Sequence, residues 1–197
     1  MSKKSRRFIR KTGFREQIPV ILVATEGDKT EPQYFEILKS ANKALNIQIV
    51  PSKGKSSPSG VLKNIKEEIK KREIGKRDKA WLVVDIDEWT INELNVVYEW
   101  SLLKANYGLA VSNPKFEYWL LLHFDKGNNI KNKEECIKRL LRHIPSFEKG
   151  DIDKDKFTIE RIKGAIINAK KKDTPACEKW PEDIGTTVYK LVEILLT

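Results

Sequence analysis

The chain has 197 residues, 40% of them hydrophobic and 34% charged, and carries a net charge of +10. That length buries a core without staples, and the balance is that of a globular protein rather than a disordered or fibrous one. The excess of base points to partners of negative charge, most simply nucleic acid, no apolar run approaches the ~20 residues of a membrane span, and Cys136 and Cys177, without metal-ligand spacing, are expected to stay reduced, as in the cytoplasm.

Residues 1–17 hold Lys3, Lys4, Arg6, Arg7, Arg10, Lys11 and Arg15 before the first acid, Glu16. No apolar signal segment follows, so this reads as a basic arm, either a solvated tail or a phosphate-contacting one through Arg6, Arg7 and Arg10. The run Val20-Ile21-Leu22-Val23-Ala24 then suits a strand buried on both faces of a parallel sheet. It stops at Glu26-Gly27, where glycine is expected to let the backbone turn sharply. Thr30-Glu31-Pro32-Gln33 is a helix-start signal in which Thr30 caps and Gln33 reaches back. The helix is expected over roughly 31–45. Glu26 thus falls at the carboxyl end of a strand, where open parallel sheets place ligand chemistry. Glu31 is either a further site acid or an acid favoured at a helix start by the dipole.

Ile47 to Val50 is a short second strand. Ser52 to Gly60 is polar, basic and flexible, expected on the same rim as Glu26, with Lys53 and Lys55 in reach of a phosphate. Gly54-Lys55-Ser56 lacks the glycine five residues earlier that a nucleotide-binding P-loop needs, so ATP binding is not expected there. A second helix over about 59–74 follows. Its basic end needs no ligand to explain it.

Ala80-Trp81-Leu82-Val83-Val84-Asp85-Ile86-Asp87 is a second apolar strand closing on acids. Asp85 and Asp87 are two apart, so an extended chain points both to one face. Like charges held together repel unless a cation sits between them, and hard divalent cations take carboxylate oxygens. That pattern, with Glu26 closing another strand, points to Mg²⁺ or Mn²⁺. Glu88 would point away from Asp87 and is a weaker candidate.

Thr90 to Glu93 forms another capping box, opening a helix to about 105. Tyr107 to Ser112 is a further strand, and a short buried helix begins near Phe116. Glu117 sits in its first turn, as a site acid or as an acid favoured by the dipole. His123, on another face, reads as a satisfied structural histidine. Strand and helix have then alternated four times, which argues an α/β fold with a mainly parallel sheet. Beyond residue 125 strand signals vanish. Helices are expected at 133–144, 158–169 and 184–196, and 145–156 as a solvated loop whose Asp151, Asp153 and Asp155 lack the other residues of a calcium loop. The organisation read from this is a basic arm (1–17), an α/β domain (18–125) and a helical region packed on it (126–197).

Glu26-Gly27 after one strand and Asp85-x-Asp87 after another resemble the Toprim domain, the metal-binding module of topoisomerases, bacterial primases and the overcoming-lysogenization-defect nucleases. The fuller resemblance is to the RloB family, through Ile21 to Glu31, Val84 to Trp89 and Ser112 to Phe124. It covers roughly residues 18–125. No glycine follows Asp87 within three residues and no tyrosine-nucleophile domain is present, which argues against a primase or topoisomerase. The resemblance implies a Toprim-like sheet flanked by helices with a helical C-terminal extension. It also implies a metal-dependent phosphodiester nuclease of bacterial anti-phage defence, encoded beside an ATPase. In that reading Asp85 and Asp87 hold the metal and Glu26 is a ligand or general base. Glu31 is the next catalytic candidate, and the substrate is DNA or an RNA such as tRNA. Competing readings are a catalytically silent nucleic-acid-binding or regulatory subunit of a defence complex, and another phosphoryl-transfer enzyme such as a nucleotidyltransferase.

Overall fold

The computed structural model describes residues 18–42, 46–52, 54, 57–86, 89–149 (148 and 149 in backbone only) and 151–196. The basic arm with Arg6, Arg7 and Arg10, both loop lysines Lys53 and Lys55, and the acids Asp87 and Glu88 lie outside them.

Strands and helices alternate as β1 (Val20–Thr25), α1 (Thr30–Ala41), β2 (Asn46–Val50), α2 (Pro58–Arg72), β3 (Lys79–Asp85), α3 (Ile91–Leu102), β4 (Tyr107–Asn113) and α4 (Phe116–Leu121). Then follow α5 (Lys133–His143), two 3₁₀ turns (Pro145–Lys149 and Lys154–Lys156), α6 (Ile159–Lys172), β5 (Gly185–Thr186) and α7 (Val188–Leu196). The sheet order is β2-β1-β3-β4-β5; the first four strands are parallel and β5 joins antiparallel. This is the α/β, mainly parallel arrangement that the alternating pattern predicts, and it is consistent with the Toprim-like sheet that the resemblance implies.

The apolar runs are continuous because both sheet faces are covered. Side chains alternate across a strand, so Ile21, Val23, Trp81, Val83 and Ala110 enter one core with α1, α4 and the C-terminal helices. Leu22, Ala24, Ala80 and Leu82 enter a second core with α2 and α3. Trp81 faces Gly108 in the β3–β4 register. A Cβ at Gly108 would lie 2.4 Å from the Trp81 ring, so only glycine lets the indole lie flat there.

Four local expectations are corrected. The first helix ends at Ala41 and the third at Leu102, each a few residues earlier than the apolar stripe suggests. No side chain caps α1; Gln33 instead accepts from the Ile152 amide at 3.1 Å, a tertiary bond that displaces the local capping box. The Thr90–Glu93 capping box does form. Segment 145–156 is not a solvated loop: Phe147 is buried, Ile152 packs on the core and Asp151 pairs with Lys29 at 3.1 Å. Finally, the C-terminal region contributes a strand. β5 has no apolar run, and polar side chains hold it: Ser112 Oγ lies 3.0 Å from Thr186 Oγ1, and Thr187 Oγ1 accepts from the Val111 amide at 2.9 Å. α7 therefore starts at Val188. Residues on both sides of position 125 share one core.

Candidate active site

The site is built at the carboxyl rim of β1 and β3. The Glu26 amide still donates to Val83 at 3.1 Å, continuing the β1–β3 ladder one residue past the strand. The Glu26 carboxylate is held from two directions. Its Oε2 accepts from the Asp85 amide at 3.1 Å, and its Oε1 accepts from the Trp89 indole Nε1 at 2.9 Å. The Trp89 amide itself donates to the Ile86 carbonyl at 3.2 Å, which returns the chain over the end of β3. Asp85 is 9% exposed and shares the sheet face of Val83, the face that α1 and α4 cover.

Glu31, in the first turn of α1, is only 6% exposed. It turns back to the strand end and accepts from the Gly27 amide at 3.0 Å. Burial pushes its carboxyl above the ordinary glutamate value, and the neighbouring Glu117 adds to the rise. Hydrogen bonds from the Glu31 and Gly27 backbone and the charge of Lys115 oppose it. The structure thus brings Glu31 and Glu117, from the first turns of two helices, into each other's field beside the Glu26 strand end. Gly27 is needed for space: a Cβ there would sit 2.2 Å from Glu31 Oε2, while its φ lies outside the left-handed region, so the expected sharp turn is not the reason for glycine.

The rim extends to the β2–α2 loop. Ser52 Oγ donates to Asp28 Oδ1, and Asn64 Nδ2 donates to the Ser52 carbonyl at 2.6 Å. This fixes the start of the Ser52 to Gly60 loop beside the Glu26 turn, as the parallel sheet predicts. His123 lies apart from the rim. Its Nε2 is 3.1 Å from Tyr34 Oη and its Nδ1 is 3.0 Å from the Trp119 carbonyl, and burial lowers its pKa to about 3, so it is a neutral structural histidine.

Glu31 is a candidate from the sequence, but its burial escaped notice there, as did the part played by Trp89. Glu31 precedes Tyr34, Phe35 and Leu38 by three, four and seven residues, so it continues the apolar stripe of its helix, and an acid in that stripe signals burial. Trp89 gave no signal of its own, because only the folded turn shows that its indole reaches Glu26.

Among the described residues no group of three or more His, Cys, Asp or Glu side chains is arranged to hold a metal ion. Glu26 and Asp85 stand at adjacent strand ends, where the Glu26 carboxylate accepts from the Asp85 backbone amide and each residue supplies carboxylate oxygens, which are hard donors. Such a pair fits Mg²⁺, which is bound through one or two carboxylates and keeps waters and phosphate oxygens as its other ligands.

The fold and this rim define an α/β protein with paired acids at the carboxyl ends of adjacent parallel strands. The model of the RloB-like protein family matches residues 21–195, and the chain belongs to that family. No curated protein and no solved structure matches it. No helix among the described residues is long and apolar enough to cross a membrane.

Proposed function

We propose that this protein is a metal-dependent nuclease that cleaves phosphodiester bonds in nucleic acid, an effector of bacterial anti-phage defence working with an ATPase partner. The observation that carries the reading is that the Glu26 carboxylate reaches the end of β3, where it accepts from the Asp85 backbone amide at 3.1 Å. The RloB-like family membership supports the defence role and the ATPase partner. The net charge of +10 supports a polyanionic substrate.

In this reading Glu26, Asp85 and, from its place in the sequence, Asp87 would hold Mg²⁺ or Mn²⁺, which when bound would supply polarisation of the scissile phosphate and a lowered pKa for the attacking water. Trp89 and the Asp85 amide orient the Glu26 carboxylate, so it needs little rearrangement as charge develops. Glu31, shielded from water and near Glu117, holds a proton more readily than an exposed glutamate and is suited to give one to a leaving oxygen. Lys115 offsets the negative charge of the pair. Lys53, Lys55, Arg6, Arg7 and Arg10 supply phosphate contacts that give affinity without sequence choice.

The test is incubation of the protein, alone and with a candidate ATPase partner, with DNA, tRNA and other RNA in Mg²⁺, Mn²⁺ or EDTA. Cleavage that needs the metal and is lost in Asp85→Ala is expected. Binding that survives EDTA and that substitution, with no cleavage even alongside the ATPase, favours a silent regulatory subunit. Nucleotide consumption with product elongation favours a nucleotidyltransferase.

A further inference from the structure

A groove of about 950 Å³ opens at the ends of β3 and β4, on the α3 side of the sheet. Its floor includes Ile86, the residue after Asp85, and Asn113, which ends the neighbouring strand β4. Its far wall is the segment between α6 and β5. That wall is fixed to the sheet, because Asn113 Nδ2 donates to the Pro181 carbonyl at 3.1 Å and to the Glu182 carbonyl at 2.9 Å. At the other end of the segment Asp173 accepts from the Cys177 amide at 2.8 Å and from Tyr189 Oη at 2.7 Å.

Trp180 lines the groove, half-buried and edge-on to Tyr98 at 6.0 Å. The Lys179 ammonium lies 5.3 Å from the Tyr98 ring centre and 5.7 Å from that of Trp180. The lip carries the exposed carboxylates of Glu178, Glu182 and Asp183. The Lys179 ammonium also donates to Asn95 Oδ1 at 3.0 Å, and an aromatic wall beside a cation is the chemistry that stacks a nucleobase. Carboxylates repel phosphate but accept from the exocyclic amino groups of bases. Their position therefore admits a base and keeps the backbone at the rim. The volume is in the range of a small-molecule pocket and is far too small for a duplex.

We propose that this groove receives one unpaired nucleotide, base first, from the strand whose phosphate lies at Glu26 and Asp85, so that the substrate is single-stranded. This rests on the nuclease reading and names its substrate class. The entering base stacks on Trp180, and the Lys179 ammonium moves to the adjoining phosphate.

The test is fluorescence anisotropy of labelled single-stranded DNA and RNA 12-mers and their duplexes, in EDTA so that no cleavage occurs. Single strands are expected to bind at least about tenfold more tightly than duplexes. Trp180→Leu, folded by circular dichroism, is expected to weaken single-strand binding about tenfold, the effect of one lost base stack, and to leave duplex binding unchanged. A 2-aminopurine placed along the single strand is expected to be quenched at one position on the wild-type protein, a readout that needs no variant. Equal affinity for single strands and duplexes, an unchanged Trp180→Leu affinity, or no quenched position overturns the proposal. Metal-dependent cleavage without these signatures leaves the nuclease standing and removes the groove. The signatures without cleavage in Mg²⁺ do the reverse.

Discussion

Trp89 Nε1 donates to Glu26 Oε1 at 2.9 Å across 63 residues of chain, while the other oxygen of the same carboxylate accepts from Asp85. An indole can only donate, so it selects the ionised form of its partner and fixes its plane. In the nuclease reading Trp89 is a positioning residue. Trp89→Phe keeps an aromatic ring and removes the donor. Cleavage is expected to fall about tenfold, chiefly in kcat, with the acidic limb of the pH profile shifted upward because Glu26 is less stabilised as an anion. Steady-state kinetics across pH check it. An unchanged pH profile with a KM effect alone would assign Trp89 to packing.

The Glu26 charge itself is tested by Glu26→Gln. The substitution preserves shape and removes a hard ligand and a base together. Cleavage is expected to drop by at least about 100-fold, the usual scale for losing such a group, while the melting temperature falls only modestly, because the amide NH2 cannot accept from one of the two N–H donors that meet Glu26. Activity within a fewfold of wild type would move the chemistry away from this rim.

Gly27 and Glu31 are coupled by contact. A methyl group at position 27 would lie 2.2 Å from Glu31 Oε2, and the Gly27 amide donates to Oε1. Gly27→Ala is expected to cost about 1–3 kcal/mol, the range for forcing an atom into filled space. Glu31→Ala removes the obstruction, so the double variant should be less destabilised than the sum of the two singles. Denaturant melts of the four proteins measure the coupling, and strict additivity would mean the side chain swings clear.

Glu31 also links stability to pH. Its folded pKa is raised, so between its unfolded value near 4.5 and the folded one the native state binds more protons than the unfolded state. Stability from this group is fully present below 4.5 and is lost as pH rises through the folded pKa. Glu31→Gln stays neutral at every pH and its oxygen still accepts from Gly27. Without added metal the variant is expected to melt higher than wild type at pH 7–8, with the difference shrinking toward pH 4.5. A difference independent of pH would contradict a raised pKa.

The sheet was legible because β1, β3 and β4 bury both faces and must therefore be apolar throughout, and because Thr90 and Glu93 satisfy each other locally. Where the deciding partner is distant in sequence, local pattern misleads. Gln33 looks like a cap, yet it bonds Ile152, 119 residues away. β5 is polar and exists only because Thr186 and Thr187 meet Ser112 and Val111. The same holds at the site. Glu26 and Asp85 were found from strand ends, but the field of Glu117 and Lys115 at Glu31 exists only once the start of α4 lies beside the first turn of α1.

His123 offers a test of the core behind the site. Its ring sits among Tyr34, Trp119, Phe124 and Phe157, with centroids 5.4, 5.0, 6.3 and 4.9 Å away. Both nitrogens are engaged, and Arg161 adds a further push against protonation. With a folded pKa of about 3 against the ordinary histidine value of 6.5, the unfolded state binds more protons between those limits. Stability from this residue is therefore present above pH 6.5 and is lost as pH falls toward 3. Nitrogen-detected NMR is expected to show the His123 imidazole neutral and fixed in one tautomer from pH 8 down to pH 5. Tyr34→Phe removes one of its two partners and leaves a buried ring nitrogen unsatisfied, which is expected to cost about 1–3 kcal/mol at pH 7. A His123 signal that titrates near pH 6.5 would mean that water reaches the ring and that this core is looser than the packing of Tyr34 and Phe157 indicates.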